Sequence, residues 1–204
     1  MEMMFADDIS LVGEMVVKYG LQKPFGDLGG LRHNDVTVAD YRVTIESPTH
    51  EQHLRYQRLD RDPFCDVVGG DYLILNPAYG DPPIEYLPSK YPDHFGIITC
   101  MSVLEHVLDP FEVFHAFRRL LKPGGILILS TVFSFPLHDE PRDFWRFSDK
   151  CLEHLASNAG LDVLESGFRL KITGDMGVQW MVGGEPNGIP QEIFSTYVCA
   201  RKKR

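Results

Sequence analysis

Four segments of this chain carry residue types that can do chemistry. Asp27-Leu28-Gly29-Gly30 runs a short apolar piece into a glycine turn, and Asp71 follows Val67-Val68-Gly69-Gly70. His106 closes the run Cys100-Met101-Ser102-Val103-Leu104-Glu105, and His138 opens a polar loop that continues through Asp143, Trp145 and Arg146. Imidazole titrates near neutrality, so His106 and His138 are the side chains suited to act as a general base. Asp143 lies near His138 in sequence and is able to orient it. Trp145 and Arg146 offer an aromatic face and a cation that can cover or grip a small polar molecule. Structural readings stand beside each of these. His106 can be a helix-start residue that packs beneath a loop, His138 a hydrogen bond that fixes its own loop, and Trp145 packing for the helix that follows.

Composition narrows the classes. The chain has 204 residues, 44% of them apolar, which suits one domain spanning 1–204 with a core of its own. Twenty basic against 29 acidic residues give a net charge of −9, and the pI is about 5.3. That balance argues against a sequence-independent grip on nucleic acid or on an anionic membrane. No apolar run approaches the ~20 residues of a membrane span. The first residues, Met1 to Asp8, are acidic where a signal peptide is basic, so a cytoplasmic protein is expected. Cys65, Cys100, Cys151 and Cys199 are far apart, which points to a reducing compartment and to neither a zinc ribbon nor a disulfide scaffold. His50 and His53 lack neighbouring ligands, and no metal is expected. The basic tail Arg201-Lys202-Lys203-Arg204 reads as a solvated end.

The elements that must position these residues follow from spacing. Phe5, Ile9, Val12, Met15, Val16 and Tyr19 predict an amphipathic helix over 5–19, closed by Gly20. Residues 31–66 read as an insertion between the first and second strands, with a strand pattern over 37–45 and a polar helix over 51–60. A strand lies within 66–75, then a proline-rich loop, then the apolar run Phe95 to Cys100, buried on both faces. Asp109 predicts an N-cap with Pro110 at the first helical position. In that helix Phe111, Phe114, Phe117 and Leu121 share one face, and it stops at Lys122-Pro123-Gly124-Gly125. Ile126 to Ser130 predicts a buried strand. Ser148 caps a helix with Leu152, Leu155 and Ala159 inward, and Gly160 ends it. Strands are expected at 161–164 and 196–200. Alternating helices and apolar strands make an α/β fold, a parallel sheet covered on both faces. Ligands in such sheets bind beyond the carboxyl ends of the strands. Residues 27–30, 71–81, 100–107 and 131–148 leave those ends.

Phe95-Gly96-Ile97-Ile98-Thr99-Cys100 with Leu104-Glu105-His106-Val107-Leu108-Asp109-Pro110 resembles the fourth strand and the "LEHV…DP" segment of the class I S-adenosylmethionine-dependent methyltransferases. Leu121-Lys122-Pro123-Gly124-Gly125 resembles their turn before the fifth strand, and His138 to Ser148 the "H..P.D.WRF(S/T)" segment of one subset. The resemblance covers 95–160. It implies a Rossmann-like three-layer sandwich with strand order 3-2-1-4-5-7-6 and strand 7 antiparallel. It also implies S-adenosylmethionine as cofactor, held where the first, second and fourth strands end. Asp27, Leu28, Gly29 and Gly30 take the place of the family's acidic, glycine-rich first motif. The glycines here are adjacent, where the family has three at alternate positions. The resemblance further implies an acid that receives both ribose hydroxyls, since a carboxylate offers two acceptors to a diol; Asp71 is expected to be that acid, with Asp40 as competitor. Asp81 lies near the adenine or is a solvated loop acid, and Cys100 and Met101 touch the cofactor by position.

Asn76-Pro77-Ala78-Tyr79 comes close to an NPPY amino-methyltransferase signature, but it precedes the fourth strand and has Ala for Pro. Ser102 stands where some quinone-pathway O-methyltransferases have a metal-binding Glu. The expected acceptor is a small molecule or a sugar, methylated on a hydroxyl. The other readings are a non-catalytic domain that binds a partner protein and a nicotinamide oxidoreductase. The absence of GxGxxG after the first strand disfavours the last.

Overall fold

The computed structural model describes residues 2–20, 23–28, 72–75, 81–135, 137, 141–172 and 193–204. In chain order these form α1 (Glu2–Tyr19), β1 (Phe25–Leu28), β2 (Tyr72–Leu75), β3 (Phe95–Met101), α2 (Pro110–Leu120), β4 (Leu121–Ser134), α3 (Asp149–Asn158), β5 (Leu161–Ile172) and β6 (Ile193–Lys202). Single 3₁₀ turns occupy Ile84–Ser89 and Leu104–His106. The strands make one sheet in the order β2-β1-β3-β4-β6-β5. β2, β1, β3 and β4 are parallel, and β6 runs antiparallel between β4 and β5. The described sheet therefore has six strands where the resemblance implies seven, and among the described residues no strand lies outside β2. The α/β, Rossmann-like architecture is the expected one.

Two apolar layers clamp the sheet. On one face Leu11, Val12 and Met15 of α1 pack on Phe25, Ile97, Ile126, Ile128 and Cys199. On the other, Phe114, Phe117 and Leu120 of α2 and Leu152 and Leu155 of α3 pack on Leu28, Ile98, Leu127 and Leu129. Adjacent strand residues such as Ile97 and Ile98 serve opposite layers, which is why these strands are apolar without interruption. Arg169 grips the Glu14 carboxylate with both terminal nitrogens at 2.9 Å and ties β5 to α1.

Local chemistry sets the element ends. Asp109 Oδ1 accepts from the Phe111 and Glu112 N–H groups at 3.0 and 3.2 Å, and Pro110 needs no partner at the first position of α2. Ser148 Oγ accepts from Cys151 N–H at 3.2 Å and starts α3. Gly160 then takes φ 79° and ends it. Phe111 does not join the buried face of α2. It is 46% exposed at the first turn, and the inward residues are Val113, Phe114, Ala116, Phe117 and Leu120. β4 begins at Leu121, five positions before the apolar run, because the Lys122–Gly125 turn stays beside β3 through a register shift. The two glycines there do different work. Gly124 has φ 81°, whereas a Cβ on Gly125 would come within 2.9 Å of the Lys122 carbonyl oxygen and 3.0 Å of the Phe95 carbonyl oxygen.

The second strand falls within the expected 66–75, at Tyr72–Leu75, toward the end of that stretch. Its register, Phe25↔Tyr72 through Leu28↔Leu75, begins one residue after Asp71. Tyr72-Leu73-Ile74-Leu75 is an unbroken apolar run, whereas Val67 to Gly70 contains two glycines, which weaken a strand. Asp71, itself outside the described residues, comes before Tyr72–Leu75 in the chain rather than after it. The expected insertion over 31–66, with Asp40, His50 and His53, also lies outside the described residues.

Gly125→Ala is expected to destabilise the fold by about 1–3 kcal/mol, since backbone oxygens cannot yield as a side chain does. Urea unfolding measures it, and an unchanged midpoint would contradict the close approach.

Candidate functional site at the strand ends

β1, β3 and β4 end side by side, and two buried carboxylates bracket the middle one. On the α1 face Asp27 is 3% exposed, and its Oδ1 accepts from Thr99 Oγ1 at 2.7 Å across the β1–β3 register. On the opposite face Glu105, in the 3₁₀ turn after β3, is fully buried and accepts from Thr131 Oγ1 of β4 at 2.6 Å. Each carboxylate is taken out of water, which is costly without a donor, and each finds a threonine hydroxyl on the neighbouring strand. Cys100 lies between them. Its thiol is pushed well above the ordinary range, chiefly by burial and then by the Asp27 and Glu105 charges.

The chain turns sharply after β3. Ser102 adopts φ 52°, a left-handed conformation uncommon outside glycine, and its N–H donates to the Ser130 carbonyl at 2.9 Å. His106 follows. Its Nδ1 lies 2.8 Å from the Arg142 carbonyl oxygen, which can only accept, so Nδ1 carries the hydrogen. Its Nε2 is 3.9 Å from Glu105 Oε1. Both ring nitrogens thus face protein groups, in the manner of a residue that packs beneath a loop.

Residues 141–147 lie along the ends of β3 and β4. The Phe144 and Trp145 N–H groups donate to the Glu105 carbonyl at 2.9 and 3.3 Å, and the Trp145 indole N–H donates to Val107 at 2.9 Å. The indole is 40% exposed. Arg146 places its two terminal nitrogens on the two oxygens of Asp143, at 2.5 and 2.8 Å, and its Nε on the Phe135 carbonyl at 2.9 Å. The Asp143 bond holds the Arg146 guanidinium further above its ordinary pKa, and the Glu105 charge adds to this.

Of the residues singled out in the sequence, the structure brings Asp27, Cys100, Met101, His106, Asp143, Trp145 and Arg146 to this end of the sheet. Leu28 is there too, but its side chain belongs to the core below α2. Met101 is partly buried and packs on the α1-side layer. Asp81 follows the carboxyl end of β2, just before the turn whose Ile84 and Leu87 are buried. Gly29, Gly30, Asp71 and His138 lie outside the described residues. Asp143 was expected to orient His138 and Arg146 to hold an acceptor; in the structure the two groups bind each other. Glu105, Thr99 and Thr131 were missed. The available signal was a threonine interrupting each apolar strand, since a hydroxyl fully buried in a sheet centre needs a partner.

The residue profile of a family described as "Methyltransferase domain" matches residues 34–165, well over half of the chain. The chain belongs to this family. The S-adenosylmethionine-dependent class is the one expected from residues 95–160. The match starts after Asp27–Gly30, where the glycine pattern departs from the usual one. Among curated proteins, the ubiquinone biosynthesis O-methyltransferase of Photorhabdus laumondii is 46% identical over 55 residues, 27% of this chain and 23% of its own. That of Klebsiella pneumoniae is 47% identical over 49 residues, 24% of this chain and 20% of its own. The matched region thus spans only about a fifth of those relatives' length. Among solved structures, a SAM-dependent methyltransferase of Methanosarcina mazei superposes with TM-score 0.55 at 16% identity, over 93% of this chain and 97% of that one. The 1,6-didemethyltoxoflavin-N1-methyltransferase of Burkholderia thailandensis, with S-adenosylhomocysteine bound, gives 0.53 at 13% identity, over 98% and 79%. At these identities the likeness is one of fold.

The methyltransferase site fits its cofactor electrostatically. S-adenosylmethionine carries a sulfonium and an ammonium, and Asp27 and Glu105 place buried negative charge on either side of β3. Among the described residues no cluster of His, Cys, Asp and Glu is arranged to hold a metal, and no helix is long and apolar enough to cross a membrane.

Cys100 touches the site without the means to react in it. Burial raises the Cys199 thiol to about 12, and Cys100 is likewise raised. At pH 8 a thiol of that pKa is ~0.01% thiolate. Peptide mapping after iodoacetamide treatment at pH 8 is expected to find Cys151 labelled, and Cys100 and Cys199 labelled only after denaturation. Labelling of Cys100 in folded protein would contradict this packing.

Proposed function

We propose that this domain transfers the methyl group of S-adenosylmethionine to a hydroxyl of a small polar acceptor, a sugar or another metabolite. The observation that carries the reading is the pair of buried carboxylates at the end of β3, set in a chain of methyltransferase family. The names of the curated relatives, O-methyltransferases, favour oxygen over nitrogen or carbon. When bound, the cofactor supplies an already activated methyl on its sulfonium. What this chain adds is placement, because holding donor and nucleophile in line is the larger part of such catalysis.

Asp27 and the Leu28–Gly30 backbone hold the methionine end. For the ribose diol, the carboxyl end of β2 favours Asp81, the first carboxylate after Leu75, over Asp71, which precedes the strand. Cys100 and Met101 shape the floor. His138, in the segment that follows β4, takes the proton of the acceptor hydroxyl, while His106 holds the wall. Trp145 covers the acceptor side, and the Asp143–Arg146 pair keeps Trp145 in place.

Asp81→Ala is expected to weaken S-adenosylhomocysteine binding by about tenfold or more, the loss of two hydrogen bonds to a charged group, and Asp71→Ala to leave it unchanged. The reverse pattern in calorimetry would return the ribose to Asp71. Transfer of radiolabelled methyl to a panel of monosaccharides and hydroxylated metabolites tests the reaction. His138→Ala should lower turnover about 10²- to 10⁴-fold with cofactor affinity intact. Full turnover in that variant would remove His138 from the mechanism, and methyl transferred only to amines would overturn the hydroxyl acceptor.

A further inference from the structure

We propose that Glu105 is the positioning residue of the acceptor side, fixing residues 141–147 against the ends of β3 and β4. The term "acceptor side" rests on the methyl-transfer reading above; the geometry does not. Glu105 reaches β4 by its side chain and residues 144 and 145 by its backbone. Its carboxylate takes the Thr131 hydroxyl of β4 at 2.6 Å and lies 3.9 Å from His106 Nε2. Its carbonyl takes the N–H groups of Phe144 and Trp145. On either side of it, His106 Nδ1 donates to Arg142 and Val107 receives the Trp145 indole. The wall opposite β3 is therefore stitched to the turn after β3 at three successive residues, 105, 106 and 107.

The side chain matters because the backbone bonds depend on the turn's being seated. A 3₁₀ turn of three residues has little stability of its own. Val103, its N-cap, offers no side-chain acceptor. The Glu105–Thr131 bond is a side-chain tie of the turn to β4, beside the Ser102 N–H bond to Ser130, and the buried charge also favours the Arg146 guanidinium beside Asp143. Seating Glu105 thus seats Trp145 and Arg146, which cover the space where an acceptor would meet the cofactor. Glu105 itself is fully buried and does this through other residues.

The test uses hydrogen exchange followed by NMR on the full chain, comparing wild type with Glu105→Ala, Glu105→Gln and Thr131→Val. The chain has two tryptophans, so Trp145→Phe identifies the Trp145 indole signal. In Glu105→Ala, exchange of the Trp145 indole and of the Phe144 and Trp145 amides should rise about tenfold or more, with β3 and β4 amides nearly unchanged. Glu105→Gln, whose amide oxygen still accepts from Thr131, should restore most of the protection. In Thr131→Val, which leaves both carboxylates in place, S-adenosylhomocysteine affinity by calorimetry should stay within about threefold. If Glu105→Ala fails to fold, Thr131→Val carries the test with the same pattern. Unchanged exchange at 144 and 145, an equal rise across β3 and β4, or no rescue by glutamine would each overturn the role. Affinity falling in step with exchange in Thr131→Val would make the Glu105–Thr131 pair part of the cofactor's own binding contacts and overturn the positioning role. Wild-type protein that fails to bind S-adenosylhomocysteine would overturn the functional reading, whereas a failed exchange pattern with binding intact overturns Glu105 alone.

Discussion

Burying negative charge at the end of an apolar sheet is the constraint on which the rest of this structure depends. A carboxylate in such a place must be hydrogen-bonded, and the donor has to come from a neighbouring strand held in register. Asp27 obtains it from Thr99 and Glu105 from Thr131. β1, β3 and β4 are thereby matched at their carboxyl ends, on both faces of the sheet. The same two charges make that end suited to a cationic cofactor, so the interaction that aligns the strands also sets the potential of the site.

The apolar layers hold this arrangement rigid from below. Because β3 is buried on both faces, its side chains alternate between α1 and the α2–α3 layer, and neither carboxylate can move without disturbing a packed neighbour. The close approach at Gly125 brings the start of β4 against β3 and so sets where Ser130 and Thr131 fall. Beyond the strands, main-chain carbonyls of residues 105 and 107 receive the wall that contains Trp145. The site is assembled from short-range hydrogen bonds on a close-packed base.

Much of this was legible in the sequence, for physical reasons that differ by element. The caps at Asp109 and Ser148 are local chemistry, and they sit where their side chains predict. β3 could be read because burial on both faces leaves no polar interruption except Thr99. β5 and β6 run well past the predicted 161–164 and 196–200. Their outer parts carry charged residues such as Glu165, Arg169 and Arg201, which hide a strand period. β2 falls at the end of the expected 66–75, and the sequence could not say which part of that stretch lies beside β1, since Val67-Val68 and Leu73-Ile74-Leu75 are both apolar. The candidate residues of 100–106 and 143–146 were brought together as expected. Their pairing was not legible. Whether Arg146 faces a ligand or Asp143, and whether Glu105 is buried or solvated, depends on contacts between segments far apart in the chain.

The central claim is that this end of the sheet binds S-adenosylmethionine despite adjacent rather than alternating glycines in the first motif. Calorimetric titration of the purified chain with S-adenosylmethionine and S-adenosylhomocysteine tests it most directly. Dissociation constants on the order of micromolar, about −8 kcal/mol, are predicted, with both ligands competing for one site. No heat of binding at millimolar ligand would contradict the account. It would leave a methyltransferase fold without methyltransferase chemistry, and a role in binding a partner protein would take its place.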